Sequence, residues 1–193
     1  MLARADVTAL ILAGGRATRL GGVDKRTLQI DGASIFERQC AVLAPLCAEI
    51  LVSTPGAVSG YRTVADLAPG GGPLAGIAAG LAHATTPWLL VVAGDMPHLS
   101  APVLRLLLGA ATGGVEAVGI RIDALPEPLL CLYRVAAVQP RVEARLAAGR
   151  LKASALLTDE GLEVAWVEGA ELRAIDPALR ALTNINTPAD LER

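Results

Sequence analysis

Four segments of this chain hold residues whose types and spacing suit phosphate chemistry. The first runs from Ala13 to Arg26 (AGGRATRLGGVDKR). Gly14, Gly15, Gly21 and Gly22 let backbone amides approach phosphate oxygens and adopt positive φ. Arg16, Arg19 and Lys25 add three cations within ten residues. The spacing is neither that of a P-loop nor G-x-G-x-x-G. Of 17 basic residues only Lys25 and Lys152 are lysine, so a lysine inside the glycine loop points to a need for a compact ammonium. The second segment is Gly94 to Pro97 (GDMP). Its Asp95 directly follows a fully apolar run and can serve a magnesium ion, which takes one or two protein carboxylates beside phosphate oxygens and water. In the third, Asp66 precedes a glycine-rich stretch ending at Gly76 (DLAPGGGPLAG); its carboxylate can accept hydrogen bonds from a base or ribose. The fourth holds Asn184 and Asn186, in NINTPADL. By spacing alone this pair also reads as turn and capping residues.

The elements that must position these groups follow from periodicity and punctuation. Val7 to Leu12 is a continuous apolar run, as expected of a strand buried on both faces. Ser34 and Glu37 form a capping box, predicting a helix from about Ile35 to Leu43. Glu49 to Ser53 reads as a second strand and Tyr61 to Ala65 as a short third. A small-residue helix is expected over Leu74 to Ala84, then the best strand of the chain, Trp88 to Ala93. Ser100 caps a helix with Pro102 in its first turn, where proline is tolerated. Val115 to Ile120 and Leu129 to Arg134 read as strands, Val135 to Ala148 and Lys152 to Leu157 as helical, and Leu162 to Val167 as a late strand. Thr187 and Pro188 open a last helix. Alternating strands and helices predict an α/β fold of three layers, a mostly parallel sheet with helices on both faces. Ligands of such sheets bind beyond the carboxyl ends of the strands. The loops after Leu12, at Asp66 and at Asp95 then share one edge.

Composition narrows the function classes. The 193 residues carry a net charge of −2 and a pI near 5.7, which speaks against a general nucleic-acid binder. No apolar run approaches the roughly 18 residues of a membrane span. The start lacks the cleavage site of a secretory signal, so a cytoplasmic protein is expected. Cys40, Cys47 and Cys131 show no zinc spacing and read as buried small hydrophobes. His98 reads as a turn histidine and His83 as a helix end. No repeat or linker divides residues 1–193, so one domain is expected.

Taken in order, the motifs Leu12 to Gly15 (LAGG), Arg19 to Lys25 (RLGGVDK), Gly72 to Gly76 (GPLAG), Gly94 to Pro97 (GDMP), Glu127 to Leu129 (EPL) and Asn184 to Pro188 (NINTP) resemble those of the molybdenum cofactor guanylyltransferases, enzymes of molybdopterin guanine dinucleotide synthesis. The resemblance covers nearly the whole chain. It implies a Rossmann-like nucleotidyltransferase fold. It implies GTP on the positions matching Leu12, Ala13, Gly14, Lys25, Asp66 and Asp95, with Mg²⁺ on Asp95. The related cytidylyltransferases resemble L-A-A-G at the first motif, so Gly14 and Gly15 favour guanine. Leu20 stands where methionine is usual, Arg26 where a small residue is common, and Ser53 where some members place an asparagine toward the nucleotide.

The expected reaction is in-line attack of the terminal molybdopterin phosphate on the α-phosphorus of GTP. Positioning and charge neutralisation dominate such a step, with Arg19 and Lys25 on phosphate charge and Asp95 on the metal. The N-terminal half would take GTP and the cation. Asn184 and Asn186 would meet the pterin acceptor, molybdopterin or the molybdenum cofactor, on the C-terminal side. Molybdoenzyme maturation proteins are further expected partners. Two alternatives stay open on sequence alone: transfer from CTP or onto a sugar phosphate, and a non-catalytic GTP-binding maturation factor.

Overall fold

The computed structural model describes residues 1–14, 25–66, 70–185 and 190. The side chain of Lys25, together with Gly15, Arg16, Arg19, Leu20, Gly21, Gly22, Asn186, Thr187 and Pro188, lies outside that description. The strands are β1 (Val7–Leu12), β2 (Gln29–Ile30), β3 (Ala33–Ser34), β4 (Glu49–Ser53), β5 (Arg62–Val64), β6 (Trp88–Ala93), β7 (Ala117–Ile122), β8 (Leu125–Arg134) and β9 (Val164–Glu168). The helices are α1 (Ile35–Leu43), α2 (Gly72–His83), α3 (Ala101–Ala110), α4 (Val135–Ala147) and α5 (Gly169–Ile175).

Seven strands form one sheet in the order β5-β4-β1-β6-β8-β7-β9. The pairs β4–β5, β1–β4, β1–β6 and β7–β9 are parallel, and β8 runs antiparallel to both β6 and β7. The period-two alternation of strand side chains sorts the core into two layers. Ala9, Ile11, Leu90, Val92 and Val118 face α1, α3 and α5. Leu10, Leu51, Leu89, Val91 and Tyr133 face α2 and α4. The strands β1 and β6 are covered on both faces, hence their apolar sequence, broken only by Thr8, whose buried hydroxyl meets Thr86 Oγ1 at 2.9 Å. Glycine lets α2 lie close to this sheet: a Cβ on Gly80 would stand 2.5 Å from Leu10 Cδ2, and one on Gly76 would stand 2.7 Å from Leu12 Cδ2.

The capping box is present as expected. Glu37 N–H donates to Ser34 Oγ at 3.2 Å, and Ser34 N–H donates to Glu37 Oε2 at 2.8 Å. The three cysteines are buried and free, and burial pushes the Cys131 thiol up to about 12. His83 closes α2 and His98 lies in a turn.

Several expectations need correcting. The third strand is only Arg62–Val64, and the segment expected to be helical over Lys152 to Leu157 is a 3-10 helix, Ala153–Thr158. Strand β7 begins at Ala117 and continues to Ile122, while β8 begins at Leu125 rather than Leu129. Pro126 and Pro128 hid this extension, because proline argues against a ladder position. Pro128 falls at the irregularity between Val118 and Ile120, where strand pairing is broken, and Pro126, opposite Arg121, lies past the end of the β6 pairing at Leu130. Two elements went unread. One is the β2–β3 hairpin, whose Asp31 and Gly32 (φ 51° and 81°) are a legible hairpin-turn signal. The other is α5, only seven residues long, with Glu168 and Glu171 as its capping pair.

Candidate active site

The site starts where β1 ends. Past Leu12 the chain threads between its two parallel neighbours. Ala13 N–H donates to Ser53 O at 2.9 Å on the β4 side, and Gly94 N–H donates to Leu12 O at 2.9 Å on the β6 side. A Cβ on Gly94 would stand 2.7 Å from Leu12 O. No side chain fits that approach, so glycine is required for the turn carrying Asp95 to press against the end of β1.

Asp66 reaches the same edge after β5. Its Oδ1 accepts a hydrogen bond from Ser53 Oγ at 2.9 Å, and its Oδ2 lies 3.8 Å from where a Cβ on Gly14 would stand. A Cβ on Gly76 of α2 would stand 2.8 Å from Ser53 Oγ and 3.5 Å from Asp66 Oδ1. Leu12, Gly14, Ser53, Asp66 and Gly76 thus close around one point. Ser53 is 2% exposed whereas Asp66 is exposed, so a buried hydroxyl holds one oxygen of a carboxylate that faces outward.

Asp95 sits half-buried in the turn after β6. Its carbonyl accepts from Ile185 N–H at 2.9 Å, bringing the C-terminal segment onto the same turn. Asn184 immediately precedes that bond, and its Oδ1 is buried with no hydrogen-bond partner among the described residues. A buried acceptor without a partner is costly, and this one lies beside the Asp95 turn.

The start of β8 also reaches this edge, because β8 runs against β6. Its Glu127 accepts from Leu129 N–H at 3.3 Å. Burial pushes the Glu127 carboxyl upward, the Leu129 bond draws it down, and the negative charge of Asp95 pushes it up. Sequence reading placed Glu127 in a motif and gave it no role. Its signal was a carboxylate between two prolines in an otherwise apolar strand.

Of the residues singled out beforehand, Leu12, Ala13, Gly14, Asp66, Asp95 and Asn184 lie at this one edge. Lys25 opens a 3-10 turn, Lys25–Thr27, by its backbone. Arg19, Gly15 and Asn186 fall outside the described residues. Ser53, noted only as a departure from a familiar pattern, is an anchoring contact here.

A mostly parallel sheet with Gly14 after its central strand β1 and carboxylates at the same carboxyl edge is the arrangement expected of a nucleotidyltransferase, and the comparisons with known proteins agree. Residues 9–163 match the model of the MobA-like NTP transferase domain. The chain is 36% identical to a Chloroflexus aggregans protein named as a probable molybdenum cofactor guanylyltransferase, covering 96% of this chain and 92% of that one. It is 31% identical to the molybdenum cofactor guanylyltransferase of Desulfosudis oleivorans, covering 97% and 93%. The crystal structure of molybdopterin-guanine dinucleotide biosynthesis protein A from Archaeoglobus fulgidus superposes with a TM-score of 0.80 at 29% identity, covering 96% and 95%. The chain belongs to the molybdenum cofactor guanylyltransferase family. Among the described residues no helix is long and apolar enough to cross a membrane.

Proposed function

We propose that this chain transfers GMP from GTP to a molybdopterin-type molybdenum cofactor in the cytoplasm, giving molybdopterin guanine dinucleotide and pyrophosphate. The observation that carries this reading is the pair of backbone bonds on either side of Asp95. Gly94 N–H ties its turn to Leu12 of the glycine loop, and Ile185 N–H ties the same turn to the asparagine segment. The carboxylate is thereby held between the two regions that must supply a nucleotide and an acceptor.

The amides after Leu12 and Oδ2 of Asp66 hold the nucleoside end of GTP. Arg19 and Lys25 balance phosphate charge. Asp95 holds a divalent cation, read here as Mg²⁺. The oxygens at this edge, the carboxylates of Asp95 and Glu127, suit a hard ion. When bound, the ion supplies charge stabilisation at the phosphate oxygens. The protein's own work is to orient: glycine at positions 14, 76 and 94 keeps the edge open, while Asn184 and Asn186 present uncharged polar groups to an anionic acceptor. Residues before the middle of the sheet serve GTP and those of the C-terminal half serve the pterin. Molybdoenzyme maturation proteins would receive the product.

Incubation of the purified protein with Mg²⁺, either GTP or CTP, and either molybdopterin cofactor or a sugar phosphate, followed by product identification, tests the reading. Guanine dinucleotide and pyrophosphate from GTP are expected. A cytosine dinucleotide made preferentially would overturn the base assignment, and nucleotide transfer only to a sugar phosphate would overturn the acceptor.

A further inference from the structure

We propose that Gln39 is a positioning residue for Asp95, acting through the backbone of the turn that carries it. Gln39 lies on α1, fully buried. Its Nε2 donates to Ala93 O at 2.7 Å and to Met96 O at 3.1 Å. These two carbonyls bracket Gly94 and Asp95. Strand β8 pairs with β6 only as far as Val92, so both carbonyls lie beyond that ladder. Met96 is fully buried and Ala93 only 3% exposed, so neither carbonyl is open to bulk water. The neighbouring Arg38 donates from Nε to Pro97 O at 3.2 Å and from Nη1 to Ile30 O at 3.0 Å. Two consecutive side chains of α1 thus grip three carbonyls of residues 93–97, and α1 is itself fastened by its capping box.

The chemistry of the amide explains why glutamine stands there. A primary amide carries two N–H donors on one nitrogen, enough to span both carbonyls across the turn. Its Oε1 is buried without a partner among the described residues. Desolvating that oxygen is a cost with no local return, so the side chain is useful for its donors. An apolar residue would avoid the cost and leave two buried carbonyls unsatisfied. With Gly94 on Leu12 and Asp95 on Ile185, the clamp holds the turn from a third side.

This inference rests on Asp95 as the cation carboxylate, and the test separates the two. Gln39→Met keeps the length and removes both donors. Below the melting temperature it should raise the half-saturating Mg²⁺ concentration for turnover about tenfold, as loss of a partner that orients a metal-binding group typically does. Mn²⁺ binding to the protein–GTP complex, read by electron paramagnetic resonance, should weaken in parallel, while metal-free GTP affinity by calorimetry stays at the wild-type value. Asp95→Asn is measured alongside. If it leaves Mn²⁺ binding intact, the cation assignment itself fails. If Asp95→Asn weakens Mn²⁺ binding and folded Gln39→Met matches wild type, Gln39 does not position the carboxylate. Should Gln39→Met fold poorly, Gln39→Glu carries the test alone. It keeps the shape and, protonated in this dry site, one donor. A Mn²⁺ affinity between wild type and Asp95→Asn is expected, and wild-type affinity overturns the inference.

Discussion

Ser53 Oγ donates to Asp66 Oδ1 at 2.9 Å, from the buried end of β4 to an exposed carboxylate after β5. The hydroxyl fixes one carboxylate oxygen and leaves the other toward the glycine loop. Ser53→Ala should therefore raise the Kd for GTP roughly fivefold, about 1 kcal/mol for one hydrogen bond to a charged acceptor at an exposed site. Turnover at saturating GTP should change little. Calorimetry and steady-state kinetics check this; an unchanged Kd would mean that Asp66 needs no anchor.

Asp95→Asn removes the charge and leaves the backbone bonds to Leu12 and Ile185 available. The fold should persist by circular dichroism while kcat falls by about two orders of magnitude or more, the scale of losing a preorganised charge in the transition state. Raising Mg²⁺ should not restore it. Near-normal turnover of the folded variant would remove Asp95 from the metal site.

Asn184 sits next to the bond that joins the C-terminal segment to the Asp95 turn. Replacing Asn184 and Asn186 with alanine should raise KM for the pterin about tenfold, the size expected for losing one or two hydrogen bonds to an anionic substrate. GTP affinity should hold. The opposite pattern, GTP affinity lost and pterin KM unchanged, would place these residues on the nucleotide side.

The β7–β8 hairpin turns on Asp123 and Ala124, at φ 50° and 67°. Positive φ at both central residues marks the tight hairpin turn that matches strand twist. Aspartate tolerates this region and alanine strains in it. Ala124→Gly should stabilise the protein by about 0.5–1 kcal/mol, seen as a melting temperature higher by about 1–4 °C. A lower melting temperature would show that unfolded-chain entropy outweighs the strain.

Much of the site was legible because its signals are local. Glycine flanking Asp95 and an apolar run before it announce a carboxylate at a strand end without any knowledge of neighbours. The same holds for the capping pair Ser34 and Glu37, three residues apart. Strand β8 is shorter in the sequence reading because two prolines outweigh a pattern, and only the pairing shows that Pro128 falls at an irregularity and Pro126 past the end of the β6 pairing. The helix α5 was missed because seven residues give two turns, too few for a period to declare itself.

Residue order along the chain, by itself, determined the α/β alternation, the carboxyl edge and the carboxylates placed on it, since each follows from side-chain period and turn chemistry within a short window. The tertiary structure alone decided which distant groups hold them. Ser53 meets Asp66 because β4 and β5 are adjacent and parallel. Gln39 meets the turn of Asp95 from 54 and 57 residues away, because α1 packs on the face where β6 ends. Ile185 closes on Asp95 after the chain has crossed the whole sheet. Such contacts depend on strand order and register, which are set by burying both faces of the sheet at once, and no local spacing encodes them.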